Sequence, residues 1–298
     1  KLNTRKDKYK VEQKINVSAG LDIVEKEIKK YEGVVIYDVH SETRNKILKF
    51  CYGNDIRAYS TTKVSDILIR GAESLHIFDT PLLLYRNHGL SFEQRFLKRT
   101  MDILVSALML LITSPIFLVA SIAIKLYDGG PVFYRQARCT MNGKVFHIFK
   151  FRSMIVDAEK DGKSQPAADH DPRITPVGRI LRATRLDELP QLIDILIGNM
   201  SLVGPRPERV EHVEKYTEDL AEFEYRLKVR GGLTGYAQIY GKYNTSPYDK
   251  LQLDLIYIQN YSIFLDIKLI LMTIKIMFMK ESTEGFTEEQ RKDIQEKE

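Results

Sequence analysis

The feature that most constrains this chain is an apolar run, ILVSALMLLITSPIFLVASIAI, at residues 103–124. Its 22 residues carry no charge. As one straight helix they would extend about 33 Å, enough to cross the hydrocarbon core of a bilayer. One interpretation is therefore a single transmembrane helix. Burial in a protein core is a weaker interpretation, because the run is long and apolar on every side.

Two details favour a third interpretation, in which the run enters one leaflet and returns to its starting side. Ser114 and Pro115 stand at the midpoint, where proline removes a backbone hydrogen bond and kinks a helix. Basic residues flank both ends, so the charge distribution does not favour placing the ends in different compartments. The run is thus predicted to be re-entrant, with a membrane span as the alternative. The flanking basic residues are Arg95, Lys98, Arg99, Lys125, Arg135 and Arg138.

The stretch before this run alternates between short apolar segments and amphipathic ones. We predict helices that begin near Ser18 and Ser41, and strands at 34–39 and 55–60. This β-α-β alternation predicts a parallel α/β layer over roughly 18–90. Because the stretch contains neither G-x-G-x-x-G nor a P-loop, we expect no dinucleotide site there and infer a structural or regulatory role.

The composition narrows the choice of partners. The 298 residues carry a formal net charge of +5, which suits phosphates, anionic lipid or nucleic acid. With two cysteines and no C-x-x-C, we expect neither a disulfide framework nor a structural zinc site. No signal-peptide pattern follows Lys1, and the chain is interpreted as a trimmed piece of a longer protein or a short relative of one.

The stretch TRLDELPQL at 184–192 contains two adjacent acids, Asp187 and Glu188. Thr184 and Asp187 have the spacing of a capping box, which predicts that both acids lie at the start of a helix over about 186–198. The helix dipole there favours ionised carboxylates, and a cap alone would explain the pair. Three nearby arginines favour a functional interpretation instead, namely Arg179, Arg182 and Arg185.

Arg206 stands between two prolines in MSLVGPRPE, residues 200–208. The prolines restrict the backbone on either side, and a guanidinium held in place suits bidentate binding of phosphate. An acid pair close to several arginines and to a membrane segment indicates Mg²⁺ and a diphosphate.

Two further stretches bear on the site and on the membrane. KVFHIFKFR at 144–152 alternates like a strand, which places Lys150 and Arg152 on one face. An exposed strand face explains this pattern as well as phosphate binding does. Charges interrupt the apolar stretch 263–280, which indicates a segment at the membrane surface or docked on the re-entrant run, not a second span.

Several motifs follow the apolar run in order: KFRSM, DPRITPVGRILRATRLDELPQLIDILIGNMSLVGPRPE, VRGGLTGYAQIYGK and LDLIYIQNYSIFLDIKLILMTI. Over about 92–280 the chain resembles the bacterial sugar transferases, which are monotopic polyprenyl-phosphate phosphoglycosyl transferases. The resemblance implies an α/β fold with a partial Rossmann-like domain at 1–91 and a mostly helical α+β catalytic domain at 92–280. It also implies that 103–124 is the re-entrant membrane helix, and a charged tail remains at 281–298.

The resemblance also implies a reaction. A sugar 1-phosphate passes from an NDP-sugar, usually a UDP-sugar, to undecaprenyl phosphate, and UMP is released. This is the first membrane step of exopolysaccharide, capsule or O-antigen synthesis. It requires Mg²⁺ and takes place at the inner membrane, with the catalytic domain on the cytoplasmic face.

The matching motifs imply roles for individual residues. Asp187 attacks the β-phosphate and forms a covalent phosphosugar intermediate, while Glu188 holds Mg²⁺ or the geometry of Asp187. A carboxylate with its usual pKa of about 4 is ionised at neutral pH, so this attack needs no general base. Asp254 completes the metal site, although an ordinary helix acid explains its pattern equally well. Phosphate or nucleotide binding is implied for Lys150, Arg152, Arg182 and Arg206.

A non-catalytic, membrane-anchored scaffold that binds lipid phosphate is the alternative function. A nucleic-acid-binding role is suggested by the basic and aromatic residues at 144–152, but the long apolar run argues against it. The sequence leaves open which sugar is transferred and whether the protein forms a homo-oligomer.

Overall fold

The computed structural model describes residues 10–85, 89–158, 171–241 and 245–277. Contacts divide the chain into two compact units, residues 1–63 and 64–298. The charged tail predicted at 281–298 lies outside the described residues.

The first unit has a parallel β-α-β arrangement. Val34 lies opposite Ala58 across its two strands, and Ile36, Ile47 and Cys51 belong to its apolar core. The predicted alternation is confirmed, but two strands in the described part of this unit do not make a Rossmann-like domain, so that assignment is not confirmed. The elements are α1 (Leu21–Ile28), β1 (Gly33–Ile36), α2 (Ser41–Gly53) and β2 (Arg57–Ser60).

The second unit begins with helix α3 (Val64–Arg70) and an antiparallel hairpin of β3 (Glu73–Ile77) and β4 (Thr80–Leu84). The prediction of a parallel layer reaching to about residue 90 is therefore wrong here. The two strands are joined by only two residues, and Phe78 in that turn has a φ of 52°. Such a short connection can join only antiparallel strands.

The apolar run lies within one long helix, α4 (Phe92–Asp128), of 37 residues. It is long and apolar enough to cross a membrane by length and composition. The helix continues through Pro115, and the hydroxyl of Ser114 donates a hydrogen bond to the carbonyl of Leu111 at 2.8 Å. That carbonyl is the one that loses its usual N–H partner to the proline, so serine replaces the missing donor. The re-entrant course predicted for the run stays a prediction.

Both halves of α4 pack on the same unit, while much of its middle is exposed. In the first half, Asp102 accepts a hydrogen bond from the backbone N–H of Leu202 at 2.9 Å. In the second half, Ile124 lies in one apolar cluster with Phe151 and Leu181. An exposed apolar surface of this kind is typical of contact with lipid or with a partner. Its exposed side chains include Leu104, Leu108, Leu111, Ile112, Leu118, Val119 and Ile122.

The remainder of the unit surrounds one core that contains Ile195, Met200, Phe223, Leu251 and Leu255. Two strand pairs belong to this part: β5 (Phe133–Cys139) with β6 (Val145–Phe151) is antiparallel, and β7 (Ser201–Val203) with β8 (Gly232–Thr234) is short and parallel. The helix Val210–Asp219 is followed by a 3-10 helix at Ala221–Lys228. The elements are β5 (Phe133–Cys139), β6 (Val145–Phe151), α5 (Pro176–Ala183), α6 (Gln191–Ile197), β7 (Ser201–Val203), α7 (Val210–Asp219), β8 (Gly232–Thr234), α8 (Tyr236–Tyr240), α9 (Pro247–Gln259) and α10 (Ile263–Met277).

The last helix, α10, is attached to α4 by a buried ion pair. Lys98 Nζ lies 2.6 Å from Asp266 Oδ2, and both side chains are almost fully buried. The hydroxyl of Tyr257 donates to the other oxygen of Asp266 at 2.8 Å. These contacts attach the C-terminal apolar stretch to the first turns of α4, ahead of the apolar run at 103–124, and its docking on that run stays a prediction.

Candidate active site

The acid pair lies in a 3-10 turn, Leu186–Glu188, between α5 and α6. Thr184 does not cap a following helix, because its hydroxyl donates backwards to the carbonyl of Ile180 at 2.8 Å. Arg185 then adopts a left-handed conformation with a φ of 59°, which redirects the chain into the turn. The predicted capping box is therefore wrong, and the two acids stand on a connection between helices.

Glu188 is held by two cations. Its Oε1 atom lies 2.7 Å from Lys150 Nζ and 2.9 Å from Arg206 Nη2. Burial alone would raise the pKa of Glu188, but the two cations outweigh this effect and lower it. Glu188 is therefore an ionised group with a fixed position, and it brings together two residues that the sequence predicted for phosphate binding.

Asp187 differs from its neighbour in having no hydrogen bond or ion pair to its carboxylate from any residue that the structure describes. Burial raises the pKa of Asp187, and the negative charge of Glu188 raises it further. The positive charges of Lys150, Arg182 and Arg185 only partly oppose this rise. The pKa of Asp187 is thus higher than the ordinary value assumed from the sequence. Its carboxylate, which has no partner among the described residues, can accept one from a ligand.

Lys150 approaches the pair from strand β6. Burial lowers the pKa of Lys150, despite the opposing charge of Glu188. The adjacent backbone N–H, that of Phe149, donates to Asp194 Oδ2 of α6 at 2.8 Å. Because α6 directly follows the acid pair, this bond sets the spacing between Lys150 and the two carboxylates.

Arg206 projects from a segment whose main chain is held at three successive points. The carbonyls of residues 205, 206 and 207 accept hydrogen bonds from three different parts of the unit. The donors are, in order, Gly232 N at 2.9 Å, Arg226 Nη2 at 3.0 Å and Arg138 Nη1 at 3.1 Å. The side chain of Arg206 itself is 41% exposed, so an incoming ligand can reach part of it.

Arg182 lies on α5 and acts on Asp187 through its charge. The described residues provide no hydrogen bond or ion pair to its guanidinium, and its exposure is intermediate. Together with Lys150, Arg185 and Arg206, it is one of four cations that act on the acid pair.

Two of the predicted site residues, Arg152 and Asp254, form their contacts away from the acid pair. The buried guanidinium of Arg152 forms a two-point ion pair with Asp128 at the end of α4, and its Nε donates to the carbonyl of Pro131 at 2.7 Å. Asp254 Oδ2 accepts from Nε of Arg226 at 2.8 Å. Neither residue has a recorded contact with the acid pair, and their predicted roles in substrate or metal binding stay predictions.

A ready-made metal cluster does not occur in the described part of the chain, where no three His, Cys, Asp or Glu side chains converge. The chemistry of the acid pair nevertheless fits Mg²⁺. This ion keeps several water ligands and commonly binds through one or two carboxylates together with substrate phosphates. The unpartnered carboxylate of Asp187 beside Glu188 meets that requirement.

Sequence reasoning missed the residues that support Arg206 from behind. Glu208 is buried and lies 3.3 Å from Lys250, and Arg226 and Arg138 hold the preceding carbonyls. The sequence did indicate that Lys250 and Asp254 lie on the same face of α9, because they are four residues apart. Their partners could not be predicted, because they lie far away in the sequence.

These features define a class of protein, one with a long exposed apolar helix and a charged site suited to anionic ligands. A family model described as "Bacterial sugar transferase" matches residues 93–280. The chain belongs to the bacterial sugar transferase family.

Three relatives illustrate this similarity. The chain is 39% identical over 254 residues to the UDP-glucose:undecaprenyl-phosphate glucose-1-phosphate transferase of Klebsiella pneumoniae, covering 84% of this chain and 53% of the relative. It is 40% identical over 183 residues to the UDP-N-acetylgalactosamine-undecaprenyl-phosphate N-acetylgalactosaminephosphotransferase of Aeromonas hydrophila, covering 60% and 43%. It is 38% identical over 185 residues to the uncharacterized sugar transferase EpsL of Bacillus subtilis, covering 62% and 89%. The chain therefore spans about half the length of the first two relatives.

Proposed function

We propose that this protein transfers a sugar 1-phosphate from a nucleoside diphosphate sugar, most simply a UDP-sugar, to undecaprenyl phosphate. The observation that carries the proposal is the contrast within the acid pair. Glu188 is fixed by Lys150 and Arg206, whereas Asp187 has no partner in the described structure and a raised pKa. Such a carboxylate is suited to nucleophilic attack, and the cations around it are suited to a diphosphate.

The proposed reaction has two displacement steps. In the first, an oxygen of Asp187 bonds to the β-phosphorus of the donor, and the bond from that phosphorus to the bridging oxygen breaks. The nucleoside monophosphate leaves, and the sugar phosphate is held on Asp187 as an acyl phosphate. In the second, a phosphate oxygen of undecaprenyl phosphate attacks the same phosphorus, which frees the carboxylate and gives the lipid-linked diphosphate sugar.

The main obstacle to the first step is repulsion between Asp187 and the anionic diphosphate. Lys150, Arg182 and Arg206 offset this repulsion, and their positions are set by the folded domain before substrate arrives. Arg206 suits a phosphate particularly well, because its guanidinium offers two parallel donors. Asp187 and Glu188 are the residues that would hold Mg²⁺, which would neutralise part of the diphosphate charge.

We further propose that α4 is re-entrant and that the site lies at the cytoplasmic face of the inner membrane. Support comes from the packing of both halves of the helix on one unit and from the exposed apolar side chains between them. Labelling of single cysteines, placed before and after Ser114 in a chain with Cys51 and Cys139 replaced by serine, tests this course. Labelling of the two positions from opposite sides of the membrane would show a span instead.

The substitution Asp187→Asn tests the proposed chemistry. The amide keeps the shape of the side chain but is a poor nucleophile, and we expect release of nucleoside monophosphate to fall by at least about 1,000-fold. Asp219→Asn, which changes an exposed acid at the end of α7, is the matched control. Turnover that survives Asp187→Asn would remove this residue from the reaction.

A second measurement separates the two-step route from direct transfer. With donor present and acceptor omitted, mass spectrometry of a rapidly quenched digest should find the sugar phosphate on the peptide that contains Asp187. The names of the relatives specify different sugars, so a panel of UDP-sugars scored by UMP release is the way to identify the donor. Binding of donor and lipid phosphate without any turnover would favour the scaffold alternative.

A further inference from the structure

The side chains of Asp254 and Arg226 form a buried pair behind the Pro-Arg-Pro segment. Their side chains are 1% and 2% exposed, and Asp254 Oδ2 lies 2.8 Å from Nε and 2.7 Å from Nη2 of Arg226. The same Nη2 atom donates to the main-chain carbonyl of Arg206 at 3.0 Å. The guanidinium also lies over the ring of Phe223, with 4.9 Å from its central carbon to the ring centroid.

We infer that Asp254 is a positioning residue of the transferase site, acting through Arg226 on the main chain of Arg206. This inference rests on the proposed function. It assigns Asp254 a task different from the metal ligation that the family resemblance implied. The carboxylate fixes the guanidinium of Arg226, which fixes the carbonyl of Arg206, and the Arg206 side chain is thereby kept on Glu188.

The flanking prolines make this indirect support necessary. Neither Pro205 nor Pro207 has a backbone N–H, so the segment can be anchored mainly through its carbonyls. The carbonyl of Arg206 is the middle one of the three that accept hydrogen bonds, and Arg226 is its donor. Loss of this bond would free the residue whose side chain contacts the acid pair.

The location of Asp254 also argues for positioning over metal binding. The carboxylate of Asp254 contacts the guanidinium of Arg226, which supplies the positive charge that a metal ion would otherwise provide. A guanidinium buried with Asp254 would be left without its counter-charge if the acid were removed. Lys250, one turn earlier on α9, forms an ion pair with Glu208 at 3.3 Å, so this face of the helix supports two residues of the 205–208 segment, Arg206 and Glu208.

The experiment compares Asp254→Asn with wild-type protein, using the full chain in lipid nanodiscs. Release of nucleoside monophosphate is measured against donor concentration and, separately, against Mg²⁺ concentration. We expect kcat/KM for the donor to fall by about 10- to 100-fold, while the Mg²⁺ concentration for half-maximal activity changes less than about twofold. A tenfold or larger rise in that Mg²⁺ concentration, with activity recovered at saturating Mg²⁺, would overturn the inference in favour of metal ligation.

A double substitution tests the link to Arg206 directly. In a chain that already carries Arg206→Lys, the bidentate guanidinium is absent, so adding Asp254→Asn should cost less than about twofold further activity. Full additivity of the two losses would contradict the inference. Asp249→Asn, the same change near the start of α9, should leave turnover close to wild type.

A conservative substitution distinguishes the loss of positioning from a general loss of the fold. Arg226→Lys keeps a positive charge beside Asp254 but cannot hold that carboxylate and the Arg206 carbonyl in the same bidentate geometry. We expect the same loss in kcat/KM, an unchanged Mg²⁺ requirement and faster hydrogen exchange in peptides covering 201–209. If hydrogen exchange in the peptides covering 201–209 is unchanged in both Asp254→Asn and Arg226→Lys, the inference is overturned.

The outcomes separate this inference from the proposed function. If the wild-type protein releases no nucleoside monophosphate from any donor, the proposed function fails, while the exchange measurement still tests the support of the segment. If Asp187→Asn abolishes turnover but Asp254→Asn leaves kcat/KM and exchange unaltered, the positioning role fails and the proposed function stands.

Discussion

Lys150 and Glu188 meet at 2.7 Å and join strand β6 to the turn between α5 and α6. Arg206 reaches the same carboxylate oxygen from a third segment, at 2.9 Å. Three parts of the chain that are distant in sequence therefore converge on one atom. Within the described part of the chain, the neighbouring carboxylate of Asp187 has no hydrogen-bond or ion-pair partner of its own.

Because Lys150 and Arg206 share one oxygen of Glu188, their substitutions should not be additive. We expect Lys150→Met and Arg206→Met each to lower kcat/KM by about 10- to 100-fold, and the double variant to lose less than the product of the two. Steady-state assays of the two single variants and the double variant measure this coupling. Strict additivity of the two losses would mean that the two cations act on separate groups. Lys144→Met, on the same β-hairpin as Lys150, is the control and should leave kcat/KM close to wild type.

The raised pKa of Asp187 predicts that this acid reduces stability at neutral and alkaline pH. A carboxyl group with a higher pKa in the folded state binds its proton more tightly there, so ionisation favours unfolding. Asp187→Asn should therefore raise Tm at pH 8, and the gain should shrink as pH falls through the folded-state pKa of the wild-type acid. Thermal unfolding at pH 8 and pH 5 measures this, and a gain that grows towards acid pH would contradict it.

The Ser114 hydroxyl is expected to stabilise α4 in lipid. Ser114→Ala would leave the carbonyl of Leu111 without a donor in a medium that offers no water, at a cost of about 1–2 kcal/mol. Adding Pro115→Ala to Ser114→Ala restores a backbone N–H at the right place and should recover most of the loss. Unfolding in nanodiscs provides the measurement, and a double variant no more stable than Ser114→Ala would refute this account.

Removal of one partner of the Lys98–Asp266 pair should cost more than removal of both. Lys98→Met leaves a buried carboxylate without its cation, at a cost of about 3–5 kcal/mol. The double variant Lys98→Met with Asp266→Leu removes both charges of the pair and should be more stable than Lys98→Met alone. Denaturant unfolding of the four proteins measures this difference, and a double variant no more stable than Lys98→Met would contradict the prediction.

The central residues of the candidate site were predictable from local patterns and their resemblance to a family. Asp187, Glu188 and Arg206 occur in short motifs, and the alternation of 144–152 placed Lys150 on one strand face. Their convergence was not predictable from spacing, because it depends on how β6 packs against α6. The capping box failed for a local reason, namely the left-handed conformation of Arg185, which ends the helical path before Asp187.

Other contacts depend on tertiary packing. Nothing in the sequence indicates which carboxylate a given arginine will meet, so the ion pairs of Arg152 with Asp128 and of Arg226 with Asp254 could not be predicted. The β3–β4 hairpin was missed because its turn at Phe78 lacks the Asn-Gly or Asp-Gly signal that marks most two-residue turns.

The buried pair that attaches α10 to α4 has a consequence for biosynthesis. Its two members are 168 residues apart in the chain. Helix α4 is translated long before Asp266, so the ion pair between Lys98 and Asp266 can form only after the chain has been synthesised as far as α10. Closure of the domain around this pair is therefore a late event in the synthesis of the chain.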